Sequence, residues 1–155
     1  MMRLNRPAPR TGRRSHGQAM VEFALVAPMF FLLIFAIIEF GRYVYYAQVL
    51  NNAAREGARY AIVHGSNSFC PSGPMPGGAT SCDPTGQYVK DAVRKYAFAV
   101  IGGASLSIPD PIWTPNNARE STVSVSLDYA YTSILPIVPV PAFTIHGEST
   151  LVINN

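Results

Sequence analysis

Three groups of residues have types and spacings that could do chemistry. Glu22 is the one charged side chain in "GQAMVEFALVAPMFFLLIFAII", residues 17 to 38. A carboxylate in such a run costs up to about 2.5–3.5 kcal/mol at the middle of a bilayer, and less near its edge. It calls for an opposite charge on a partner, or for a position from which it snorkels to water. Cys70 and Cys82 are the two cysteines; outside the cytoplasm an even pair is expected to oxidise and close the loop between them. His64 and His146 could join them in a zinc site by residue type, but the spacing is that of no metal finger, and no metal is expected. There is no Gly-x-Ser-x-Gly, no phosphate-cradling Gly loop and no His-Glu-x-x-His. The histidines and acids have no sequence relation that suggests an acid/base pair, so no catalytic residue and no cofactor is assigned. The chain does not read as an enzyme.

Charge and hydropathy say where these residues sit. The formal net charge is +3, yet Arg3, Arg6, Arg10, Arg13 and Arg14 all precede Gly17, with no acid among them. From residue 18 onward seven Lys+Arg face nine Asp+Glu, a net charge of −2. The basicity belongs to the leader, which argues against a phosphate-tracking surface and so against nucleic acid. Phe23 to Ile38 is free of charge, and with Ala19–Val21 and Phe40 it reaches the ~17–25 residues that span a bilayer as a helix. Arginines before the run and few after it predict a cytoplasmic N-terminus and an exported C-terminal part. A cleaved signal peptide fits less well. The run exceeds the ~7–15 residues of an h-region, and no Ala-x-Ala site follows it.

The elements that must position these residues follow from periodicity. Residues 1–17 are rich in Arg, Pro, Gly and Ser and read as a disordered cytoplasmic leader. From about Gln18 one helix is expected to run to His64–Gly65, kinked at Pro28: a transmembrane part over 18–40 and an amphipathic continuation over 41–64. Glu39 and Arg42, three apart, predict an interfacial ion pair. The stripe Ala53, Ala54, Gly57, Ala58 and Ala61 permits close helix approach, either within the chain or between subunits. An exported α+β domain fills 65–155. It holds a Gly/Pro/Ser loop with the two cysteines, then a helix from Thr85 or Gln87 to Ile101, with Tyr88, Val89, Ala92, Val93, Tyr96, Ala97 and Val100 on its apolar face and a stop at Gly102–Gly103. Pro109, Pro111 and Pro115 make the next segment irregular. Thr122–Tyr131 and Phe143–Ile153 alternate with period two and predict an antiparallel strand pair packed on the first helix. The apolar loop between them, with Ile134, Leu135, Ile137, Val138 and Val140, touches a partner or the membrane surface, or folds back onto the core.

A basic leader, a Gly and a Glu five residues later opening an apolar helix resemble the type IV pilin class. The string Val21-Glu22-Phe23-Ala24, Pro28, Glu39-Phe40-Gly41 and the "NNAAREGARYA" of Asn51 to Ala61 resemble its TadE-like subfamily, minor pseudopilins of the tight-adherence (Flp) pilus system. The resemblance covers residues 17 to 63 and implies a pilin-like α+β fold. It implies cleavage between Gly17 and Gln18 by a prepilin peptidase, and a role for Glu22 in meeting the new amine of a neighbouring subunit. The implied partners are that peptidase, other pseudopilins, assembly-platform proteins and membrane lipid. The implied location is the bacterial inner membrane, crossed once, with the C-terminal domain periplasmic or extracellular. The first residue after the cut, Gln18, departs from the bulky apolar residue general in type IV pilins. A membrane-tethered extracytoplasmic binding module unrelated to pili is the alternative.

Overall fold

A computed structural model describes residues 16–101, 106–134 and 142–154, with 98–100 described by backbone alone. The expected leader up to residue 15, the Gly102–Gly103 stop, the side chain of Val100 and the apolar stretch 135–140 lie outside the described residues. The fold is α+β: a long helix α1 (His16–Val63), a short 3-10 turn (Pro76–Gly78), a helix α2 (Gln87–Ile101), and strands β1 (Leu106–Ser107), β2 (Ile112–Thr114), β3 (Thr122–Tyr131) and β4 (Phe143–Val152). The chain divides into two compact units, Met1–Ile37 and Ile38–Asn155.

In the first unit the described residues are helix alone. Most of its large side chains are exposed; Phe23 is 72% and Met29 74% exposed. Pro28 lies inside α1, where it removes one donor to the carbonyl four residues back, and the segment is helical on both sides of it.

In the second unit the amphipathic part of α1 supplies one wall of the core. Leu50, Ala53, Ala54, Ala58 and Ala61 are fully buried with Val89, Val93 and Ala97 of α2 and Val123, Val125, Leu127 and Ile145 of the sheet. Period 3.6 on the helices and period 2 on β3 place these residues on facing sides. Two glycines set how closely the layers approach. A Cβ on Gly57 would run into Val93 Cγ2 and come within 3.2 Å of Val125 Cγ1. A Cβ on Gly147 would stand 2.8 Å from the backbone carbonyl carbon of Leu50, so β4 lies against the main chain of α1.

The sheet is antiparallel throughout. β4 pairs with β3 along its whole length, from Thr122↔Val152 to Tyr131↔Phe143. β1 and β2 both pair with β3, through Ser107↔Asp128 and Ile112↔Ser124. The strand pair expected from sequence is therefore part of a four-stranded sheet in which β3 is the central strand and β4 lies along one side of it. The segment expected to be irregular holds β2, because Pro111 and Pro115 bracket Ile112–Thr114 and leave those amides free for the ladder.

Candidate functional site

Residues near the start of α1 are exposed. Gly17, Gln18 and Glu22 are exposed, and no side chain stands within 4 Å of where a Cβ on Gly17 would be. The Glu22 carboxylate has no hydrogen-bond or ion-pair partner among the described residues. A peptide bond flanked by an unencumbered glycine is open to close approach by a protease. An exposed carboxylate with no partner among the described residues can meet a group on another molecule. The helix carrying both is long and apolar enough to cross a membrane, and none of its most apolar eighteen-residue window is buried.

Where the apolar run stops, a polar and aromatic cluster begins. Arg42 Nη1 donates to Glu39 Oε2 at 3.0 Å, the ion pair expected from their spacing, with side chains only 25% and 19% exposed. Two residues far along the chain, Tyr131 of β3 and Ile134 just beyond it, complete it in ways no local pattern reveals. Arg42 Nη1 also donates to the Tyr131 hydroxyl at 3.4 Å, Tyr131 donates to the Glu39 carbonyl at 3.4 Å, and the Ile134 amide donates to Glu39 Oε1 at 3.2 Å. The guanidinium lies 5.5 Å from the ring centre of Tyr46 and 5.3 Å from that of Tyr131, within cation–π range. Tyr46 packs on Tyr129, and Tyr131 on Phe143. Burial, then the neighbouring Glu39, push the Tyr131 phenol above its ordinary value, so it remains a donor at neutral pH. The pair Glu39–Arg42 was legible because both residues lie on one helix; Tyr131 and Ile134 are some ninety positions away in sequence.

The small-residue stripe is used within the chain. Ala53, Ala54, Gly57, Ala58 and Ala61 are all buried against α2 and the sheet.

Cys70 and Cys82 are joined as a disulfide, with Cα atoms 5.3 Å apart. Beside it Asp83, 4% exposed, caps α2: Oδ1 accepts from the Gln87 amide at 2.6 Å and Oδ2 from the Tyr88 amide at 2.8 Å. Buried Asn117 ties the loop to the sheet, its Nδ2 donating to the Ser72 carbonyl at 3.0 Å and its amide to the Pro74 carbonyl at 2.9 Å. Neither role has a sequence signal beyond a polar residue in a turn-rich stretch.

The two histidines are apart in function. His64 stacks on Tyr60 at 4.0 Å, while His146 Nδ1 meets Asp128 Oδ1 at 2.8 Å across β3 and β4. Among the described residues no group of three or more His, Cys, Asp or Glu could hold a metal. Asp128, and less strongly Glu148, raise His146 above the ordinary imidazole value. The Ser124 hydroxyl, then His146, hold Glu148 below the ordinary carboxylate value. An open groove of about 880 Å³ runs between α1 and α2, lined by Glu56, Tyr60, Tyr88, Asp91, Lys95 and Tyr96. Its acids and lysine form no hydrogen-bonded pair with each other, so nothing there resembles an assembled catalytic dyad.

Comparison with known proteins agrees with the N-terminal reading. A family model described as TadE-like protein matches residues 17–59, under a third of the chain, and this segment is TadE-like. No curated protein and no solved structure matches the chain.

Proposed function

From this TadE-like segment as premise, we propose that the chain is a minor pseudopilin of a tight-adherence (Flp) pilus system. A prepilin peptidase cuts it after Gly17, and it acts in pilus biogenesis or secretion by packing its apolar helix with other subunits and with assembly-platform proteins. It sits in the bacterial inner membrane, N-terminus cytoplasmic and α+β domain exported, consistent with the five arginines that precede the run. The TadE-like family is a pilus-associated structural family, and no catalytic role is assigned to this chain.

One observation carries the reading. The family match begins at Gly17, and five residues on stands an exposed carboxylate with no partner among the described residues. Hydrolysis of the Gly17–Gln18 bond leaves a carboxylate on the leader and a free amine on Gln18. That amine on one subunit and Glu22 on its neighbour offset each other's charge where the solvent is poor. The test is the N-terminus of membrane-extracted protein, expressed with and without an active prepilin peptidase. The expected mature chain begins at Gln18 only with the peptidase; a chain that still begins at Met1 in its presence refutes the proposal. Glu22→Ala is expected to be cut normally and to impair piliation, and unchanged piliation refutes the docking role.

A membrane-tethered binding module is the second reading, favoured by the tyrosine-lined groove between α1 and α2. It predicts that removing residues 3–17 and changing Glu22 spare function as long as the helix inserts.

A further inference from the structure

The exposed large apolar residues of the second unit include a group gathered where the apolar run ends. Tyr43, Tyr45, Ile134 and Phe143 are 39%, 53%, 63% and 38% exposed. Ile134 and Phe143 come from sequence far from α1, yet both are held at this level. The Ile134 amide donates to Glu39 Oε1, and Phe143 packs at a tilt against Tyr43 with ring centres 5.8 Å apart. Glu39 directly follows Ile38, the last residue of the charge-free run, and Tyr43 is about one helical turn further on.

We propose that this end of the folded domain, presented by Tyr43, Tyr45, Ile134 and Phe143, docks on the lipid headgroup layer at the point where α1 leaves the bilayer. The proposal rests on α1 being a membrane span. Given that span, a residue tied to Glu39 by one hydrogen bond lies within a few ångströms of the hydrocarbon boundary. The residue types suit that depth. Tyrosine places an apolar ring and a polar tip across the interface, and aromatic side chains concentrate there. Charge suits it too. The ionic groups at this level are Arg42 and Glu39, paired at 3.0 Å and covered by Tyr46 and Tyr131, so bringing this end to the headgroups strands no charge in hydrocarbon. Lipid is favoured over a second copy because Glu39, to which the Ile134 amide is bonded, directly follows the charge-free run in sequence.

The remainder of the domain provides an internal control. The Ser66 amide bonds the Asn117 carbonyl, which places the start of the cysteine loop near the beginning of β3. Phe69 in that loop is fully exposed. β3 has ten residues between that end and Tyr131, about 30 Å at 3.3 Å per residue. Phe69 thus lies toward the opposite end of β3 from the proposed docking residues and serves as the reference position.

The experiment is depth-dependent fluorescence quenching of the full chain in phosphatidylcholine vesicles, with bromines at shallow or deep acyl positions. Phe143→Trp, Ile134→Trp, Phe69→Trp and Phe30→Trp are each compared with the parent, whose single Trp113 sets the baseline. Phe143→Trp and Ile134→Trp are expected to lose emission most in shallow bromolipid, and Phe30→Trp in deep bromolipid. Phe69→Trp should match the parent in both. Ile134→Trp lies outside the strands and gives the same reading should Phe143→Trp fail to fold. Deep quenching of Phe30→Trp with no added quenching at positions 134 and 143 overturns the docking and leaves the span standing. No quenching of Phe30→Trp overturns the span and the docking with it. Protection that appears only at high protein-to-lipid ratio assigns the patch to a second copy and also overturns the proposal.

Discussion

Gly57→Ala should destabilise this protein, although the same change on an open helix surface stabilises. In a solvated helix interior alanine is favoured over glycine by about 0.8–1 kcal/mol. At position 57 the added methyl runs into Val93 Cγ2 and lies 3.2 Å from Val125 Cγ1. Both obstacles are short β-branched side chains; in a helix valine has essentially one χ1 well, so Val93 cannot swing aside cheaply. Overpacking of this kind costs about 1–3 kcal/mol, which after the propensity gain leaves Gly57→Ala roughly 0.5–2 kcal/mol less stable than the parent. Val93→Ala alone removes two buried methyl groups and should cost about 1.5–3 kcal/mol. In that background the harder obstacle is gone and Val125 Cγ1 at 3.2 Å remains, so Gly57→Ala should become neutral or stabilising by up to about 1 kcal/mol. The cycle therefore predicts a favourable coupling of about 0.5–3 kcal/mol between positions 57 and 93. The assay is urea unfolding of the detergent-solubilised chain, followed by Trp113 emission, with midpoints read at constant slope. A single Gly57→Ala variant as stable as the parent or more so, or additive effects in the double variant, would mean that the stripe is not packed inside the chain.

The remaining predictions use the cysteine loop and the outer face of the sheet. Asp83→Ala leaves the Gln87 and Tyr88 amides of α2 without their acceptor and should cost about 1–2 kcal/mol, read as a lower urea midpoint; Asp83→Asn should recover part of it. Breaking the Cys70–Cys82 bond in a Cys70→Ser, Cys82→Ser variant should lower stability by up to about 3 kcal/mol, as expected for a closed loop of this size. His146 titrates above the ordinary imidazole value because Asp128 accepts from it. The stabilisation from that pair is therefore fully present below the ordinary imidazole value near ~6.5 and fades as pH rises through the raised one. With the ring more than half exposed, that stability effect is small, so the readout is the His146 ring-proton titration by NMR. Asp128→Asn should return its midpoint toward the ordinary value, and an unmoved midpoint would remove Asp128 as the cause.

Most of this architecture could be read from periodicity, because each long element buries one face against one neighbour. The alternation of Val123, Val125 and Leu127 against Ser124, Ser126 and Asp128 marked β3 along its full length, since only the inner row reaches the core. β4 was legible for the same reason, although Gly147 stands where a large residue would be expected. That glycine is explained only by the main chain of α1 lying against it, a contact no local pattern encodes. β1 and β2 were missed because two or three residues hold no period, and because prolines around β2 read as breaks. Glu39 and Arg42 were legible as an i, i+3 pair, whereas Tyr131 and the Ile134 amide join them only through the register of β3 beside α1. Asn117 and Asp83 were invisible for a related reason. Their partners are backbone groups, and every residue has those.

The division of labour along α1 also narrows how subunits could meet under the pseudopilin reading. A helix with a small-residue stripe suggests close helix–helix packing between molecules. Here that stripe is already occupied by Val89, Val93 and Val125, so residues 53–61 cannot offer it to a neighbour without opening the core. What α1 still presents is its length before Ile38, exposed on every side, together with the outward residues of its second half. In lipid such a segment gains little by apolar burial alone, because the acyl chains are as apolar as its side chains. A directional contact has to come from something polar. Glu22 is the one ionisable side chain there after Gly17, and the proposed cleavage at Gly17 would create an amine on Gln18 that could answer it. Processing and assembly are then coupled by electrostatics. An uncut subunit lacks the amine that makes its neighbour's carboxylate affordable in the membrane, so on this reading only processed subunits pack in register.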